Sequence, residues 1–183
     1  ATYAPAVGIV EESSATSGGG AATHSPKLRV TINDDLSGRR YEVVARVVVN
    51  AAGPWVDAVR SLGNAAAPRM HLTKGIHLVV SRERLPVDDM IVMRASDRRM
   101  VFVVPYGDIV WIGTTDTDYP RAVERPTITR EDVDYLLEAT NRTFPGARIG
   151  DDDVRGAWAG VRPLLHQEGK KPSEISRRDE ILV

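Results

Sequence analysis

The sequence predicts an α+β fold, a mostly antiparallel or mixed sheet of about six or seven strands with two or three helices. Three observations carry this expectation. Apolar runs at residues 72–80, 90–95, 100–104 and 109–113 follow one another closely, and the connections S-D-R-R and P-Y-G-D are polar or turn-forming. After Thr129, Val133, Leu136, Leu137 and Thr140 keep the i, i+3, i+4, i+7 spacing of an amphipathic helix. The stretch V-V-V-N-A-A-G-P-W-V-D at residues 47–57 reads as a buried strand that ends in a small-residue turn and enters a helix.

Composition narrows the function classes. The 183 residues could form one domain or two small ones, and 42% hydrophobic content is compatible with a packed core. A formal net charge of −1 gives no reason to expect a nucleic-acid partner. Cysteine is absent, which excludes disulfides, thiolate metal sites and a cysteine nucleophile. No apolar run has the length of a transmembrane helix and no signal-peptide pattern opens the sequence, so a soluble domain is expected, with peripheral membrane contact left open. The sequence starts on Ala1 and finishes on the apolar Ile181, Leu182 and Val183, like a strand cut short, and an excerpt from a longer protein is expected.

In chain order, residues 6–10 form a short apolar segment, and the Ser- and Gly-rich residues 13–24 read as a flexible loop. Gly18, Gly19 and Gly20 match neither phosphate-loop nor dinucleotide fingerprints. Leu28, Val30 and Ile32 alternate as a half-buried strand, N-D-D-L-S-G-R-R makes a turn, and residues 41–50 return as the second arm of a hairpin. Residues 54–62 form a short helix stopped by Gly63. Beyond the meander, Thr129 caps a helix with Asp132 at its third position, and Phe144-Pro145 ends it. Residues 154–165 form another strand, and residues 175–183 begin a further one.

Several side chains could carry chemistry. Ala51, Ala52 and Gly53 lack bulk, so a flat or phosphorylated ligand could approach their backbone, although an ordinary strand-to-helix turn needs the same residues. His77 is either a polar sheet residue or a general base that titrates near neutrality. Lys74 and Gly75 precede it closely, and no set of metal ligands stands at suitable spacing. Arg162, inside the apolar G-V-R-P-L-L, must meet an anion or an internal carboxylate such as one of Asp151, Asp152 and Asp153. Arg177 and Arg178 present the same choice. Thr114, Thr115 and Asp116 either orient a polar ligand or close turns among themselves.

Taken in order, V-N-A-A-G-P-W-V-D, L-T-K-G-I-H-L-V-V, F-V-V-P-Y, I-G-T-T-D-T-D-Y, W-A-G-V-R-P-L and I-S-R-R-D resemble the FAD-dependent glycerol-3-phosphate dehydrogenases, within the amino-acid-oxidase-like flavoproteins. The resemblance covers the chain from about Arg29 onward. It implies that residues 1–62 are the tail of a Rossmann-like FAD domain and residues 63–183 a truncated substrate-binding sheet domain. By the same resemblance, Ala51, Ala52, Gly53, Thr114, Thr115 and Asp116 lie at the cofactor. Lys74, Arg162 and Arg177 bind substrate, and His77 and Arg162 are catalytic. The implied reaction oxidises glycerol 3-phosphate to dihydroxyacetone phosphate through FAD, with a membrane quinone as acceptor. The implied location is cytoplasmic, peripheral on the inner membrane face, and a homo-oligomer is admitted. The family's G-x-G-x-x-G fingerprint is missing from this sequence, so the excerpt alone is expected to be inactive. An amine or amino-acid oxidase of the same group and a non-catalytic binding module are the alternatives.

Overall fold

The computed structural model describes residues 3–12, 27–65, 67–120, 123–169, 175 and 180–182. They form two compact units, Ala1–Arg69 and Met70–Val183. The sequence reading puts the boundary at residue 62, whereas the division lies after the loop that follows the short helix.

In the first unit, β1 (Ala6–Glu12), β2 (Lys27–Asn33) and β3 (Arg40–Ala45) make an antiparallel sheet in that order. The alternation along β2 puts the buried Val30 between Ile9 and Val43. Its turn is built on Asp34, whose carboxylate accepts from Leu36 N at 3.0 Å and Ser37 Oγ at 2.5 Å. The expected buried strand at residues 47–50 does not form. The register ends with Leu28 opposite Ala45, and β2 begins at Lys27, so the valines beyond have no described strand to pair with. Val47 and Val49 are 72% and 84% exposed. A valine run becomes a buried strand only where neighbours supply hydrogen bonds and cover.

The turn after it is ordered by Asn50, whose Oδ1 accepts from Ala52 N at 3.3 Å while Nδ2 donates to Val56 O at 2.9 Å. Gly53 sits at φ +56°, a left-handed position that disfavours any side chain. The helix expected from Pro54 starts as a 3-10 turn, Gly53–Trp55, and continues as α1 (Val56–Ser61).

The second unit is organised around β4 (Met70–Ser81). β5 (Ile91–Arg94), β6 (Met100–Tyr106) and β7 (Ile109–Gly113) form the antiparallel meander, and β7 pairs with β4. The two-residue β8 (Thr117–Asp118) continues along that edge, and β9 (Val154–Leu165) pairs with the other. Between them runs α2 (Arg130–Thr143). Its capping box is the one expected: Thr129 Oγ1 accepts from Asp132 N at 3.4 Å, and Asp132 Oδ2 accepts from Thr129 N at 2.9 Å. Pro145 stops it. Residues 175 and 180–182 carry no strand, and the rest of the strand expected at 175–183 lies outside the described residues.

Leu136, Leu137 and Ala139 of α2 join Ile76, Leu78, Val80, Val101, Val103, Val110 and Ile112 in one apolar core. Leu136 is fully buried there. Leu136→Ala is expected to destabilise this unit by about 2–5 kcal/mol, read as a lowered denaturation midpoint; a change within about 0.5 kcal/mol would mean that the α2 packing is not as described.

Candidate active site

Side chains alternate along a strand. Thr73, Gly75, His77 and Val79 therefore share one face of β4, and Lys74, Ile76, Leu78 and Val80 share the other, which carries the core. On the first face, β9 sets Arg162 opposite Thr73, Gly160 opposite Gly75 and Trp158 opposite His77. From β7, Gly113 comes opposite His77 and Trp111 opposite Val79.

Two glycines make room for the polar groups. A Cβ on Gly75 would stand 2.4 Å from both Arg162 Nη2 and Thr114 Oγ1, so the guanidinium lies against bare backbone. A Cβ on Gly113 would stand 2.2 Å from Cδ2 of His77. Trp158 stacks on the imidazole with centroids 4.9 Å apart and planes at 11°. Trp158 in turn meets Trp111 edge-on at 5.4 Å, and Trp111 stacks on Tyr106 at 5.1 Å. Burial, and then the Arg162 charge, hold the His77 imidazole below its ordinary value. It is neutral at neutral pH and able to accept a proton.

Arg162 is seated by the run that follows β7. Nη2 donates to Thr114 Oγ1 at 3.0 Å, and Nη1 donates to Thr115 O and Asp116 Oδ1, both at 3.3 Å. The salt bridge weighed with residues 151–153 is not the one formed: Asp151 pairs with Arg130 and Asp153 with Arg84. The Arg162 side chain keeps 28% exposure, so an anion can still reach its planar fork. Thr114, Thr115 and Asp116, the run expected at the cofactor, bond Arg162 and β4. Thr115 Oγ1, buried, accepts from Ile76 N at 3.0 Å and donates to Lys74 O at 3.4 Å.

Lys74 does not join this cluster. It stands three residues from His77, an odd step that puts it on the opposite face. Its ammonium forms an ion pair with Asp132, donates to Thr127 O at 2.9 Å and lies 5.8 Å from the Tyr119 ring centroid. The Lys74 and Asp132 side chains are only 6% and 4% exposed. Burial works to raise the Asp132 carboxyl, but hydrogen bonds from Lys74 and Thr129 hold it below its ordinary value. The pair's contribution is therefore present above about pH 4 and is lost as pH falls through the lowered value. Lys74→Met strands the carboxylate and is expected to cost about 3–5 kcal/mol, read as a lowered denaturation midpoint. A loss within about 0.5 kcal/mol would mean that the buried pair is not as described.

Ala51, Ala52 and Gly53 belong to the first unit, where Asn50 orders their backbone. Arg177 lies outside the described residues. Trp158 and Gly113 were not singled out from sequence. Trp158 has the same strand parity as Arg162, a signal that was available, whereas Gly113 beneath His77 needs the β4–β7 register.

A sheet face that presents a neutral imidazole beside a seated guanidinium suits a protein that binds an anionic substrate and moves a proton. Residues 4–176 match the FAD dependent oxidoreductase family (DAO), and the chain belongs to it. It is 44% identical over 155 residues to the aerobic glycerol-3-phosphate dehydrogenases of Staphylococcus aureus strains MRSA252 and USA300, an alignment covering 83% of this chain and 28% of theirs. The X-ray structure of the glycerol-3-phosphate dehydrogenase from Bacillus halodurans complexed with FAD is similar at TM-score 0.70 and 42% identity, over 75% of this chain and 28% of that one. The chain thus spans little more than a quarter of the length of these relatives.

Proposed function

We propose that the protein containing this chain oxidises sn-glycerol 3-phosphate to dihydroxyacetone phosphate with FAD. The observation that carries the reading is the pairing of His77 and Arg162 over Gly113 and Gly75 on one face. Neutral His77 accepts the proton of the secondary hydroxyl. Arg162 binds the phosphate or steadies the developing alkoxide. FAD, when bound, supplies the acceptor for the hydride that leaves the same carbon. Open space on that face supports the reading: among the described residues, nothing lies within 4 Å of where a Cβ on Gly160, between Trp158 and Arg162 on β9, would stand. Ala51, Ala52 and Gly53 are the first unit's candidates for close approach to the cofactor.

The name aerobic glycerol-3-phosphate dehydrogenase, borne by the Staphylococcus aureus relatives, supports a respiratory acceptor, and we assign the electrons to a membrane quinone. That transfer implies a cytoplasmic protein held peripherally on the inner membrane face, homo-oligomerisation being compatible with it. Among the described residues no helix is long and apolar enough to cross a membrane. The chain by itself, with no G-x-G-x-x-G fingerprint, is proposed to be inactive.

The test is the visible spectrum of the full-length protein before and after anaerobic glycerol 3-phosphate, with this chain alongside. Flavin bands that bleach in the former, and their absence in the latter, are expected. A flavin that ignores glycerol 3-phosphate but bleaches with an amino acid would move the reading to the oxidase branch.

A further inference from the structure

Arg99 lies in the S-D-R-R connection between β5 and β6, which the sequence presents as a solvated turn. The structure engages it within its own turn and with two further segments, the run after β7 and α2. Its Nη1 donates to Asp116 O at 2.6 Å, and its Nε donates to Asp97 Oδ2 at 2.6 Å. Its guanidinium carbon stands 4.7 Å from the ring centroid of Tyr135 on α2. Tyr135 closes the group by donating its hydroxyl to Asp97 Oδ1 at 3.0 Å. Burial, helped by that bond, pushes the Tyr135 phenol up to about 12, so it remains a donor across the working pH range.

The Asp97–Arg99–Tyr135 group therefore ties α2 and the β5–β6 turn to the backbone of Asp116. The side chain of that same residue accepts from Arg162. Thr115 and Thr117, its two neighbours, bond the Lys74 carbonyl of β4. Arg99 acts on the residue between them, through a charge-assisted bond to a carbonyl. We infer that Arg99 is a positioning residue for Arg162: by fixing the Asp116 backbone it orients residues 114–116, and through them the guanidinium that meets the substrate anion. This rests on the proposal that Arg162 binds that anion.

The experiment is steady-state kinetics of the full-length holoenzyme with glycerol 3-phosphate for R162K, R99M, R99K and Y135F. R162K is expected to raise KM by about 100-fold. R99M is expected to raise KM about tenfold with kcat within about twofold, and R99K to recover most of the loss. A purely structural role would lower holoenzyme yield or unfolding temperature and leave KM unmoved. Wild-type KM in R99M, beside a raised KM in R162K, overturns the inference and leaves the substrate reading standing. Wild-type KM in R162K removes the substrate reading itself, and the inference with it. Should R99M give no soluble holoenzyme, Y135F decides, because it deletes only the hydroxyl that bonds Asp97. A KM raised about two- to threefold is then expected, and an unchanged KM overturns the inference.

Discussion

In the full-length protein, His77→Ala is expected to lower kcat with glycerol 3-phosphate by about two to four orders of magnitude. The expectation follows from how the ring is held. Gly113 leaves space for it, Trp158 stacks on it, and burial together with Arg162 keeps it neutral. A base must be unprotonated to act, and its value in the folded protein is depressed. Activity should therefore persist below the ordinary imidazole value of about 6.5 and fall only at lower pH. Trp158→Ala admits water to the ring and weakens the desolvation, so the acidic limb of kcat/KM should move upward. A His77→Ala enzyme with unchanged turnover would remove the residue from proton transfer. An acidic limb that stays put in Trp158→Ala would mean that the stack does not set the titration.

Gly75→Ala should lower kcat/KM by about 100-fold or more with little loss of folded protein. The added Cβ would lie 2.4 Å from Arg162 Nη2 and 2.7 Å from Nη1, well inside contact distance. Thr114 Oγ1 is equally close, so the guanidinium and its seat are displaced together. Gly75 does not occupy a left-handed conformation, and the strand backbone accepts alanine. The conflict is with the ends of side chains that can move, which is why function is expected to suffer more than folding. Steady-state kinetics alongside flavin content and an unfolding midpoint would separate the two effects. Unaltered kinetics in Gly75→Ala would mean that the Arg162 placement over Gly75 is not the working one.

Local signals read well from the sequence. The run that forms β9, the meander strands and the α2 capping box all follow from residues close together in the chain. The pattern also holds information that the residue-by-residue reading left unused. Lys74 and His77 are an odd number of residues apart, so a strand must send them to opposite faces, and the parity argues against a shared substrate. The valines at 47–49 failed for another reason: apolarity names a segment that wants cover, not the partner that supplies it. The contacts that make the site are all long-range. Arg162 on Thr114 and Asp116, His77 over Gly113, and Arg99 on the Asp116 carbonyl each join segments whose juxtaposition depends on strand pairing. Composition and spacing carry no information about that pairing, and the apolar surroundings that single out Arg162 do not reveal its seat.

The two-sided use of β4 bears on how reliably the protein can be made. Displace that strand by one position against its neighbours and every side chain changes sides. His77 would then enter the hydrocarbon interior, Lys74 would leave Asp132 for the opposite face, and Arg162 would meet Lys74 or Ile76 instead of Gly75. Each exchange is unfavourable by itself, and all three would occur together. The residues proposed for the chemistry thus also act as a proofreading device for assembly. An insertion or deletion of one amino acid within Met70–Ser81 should be less tolerable than almost any single replacement there.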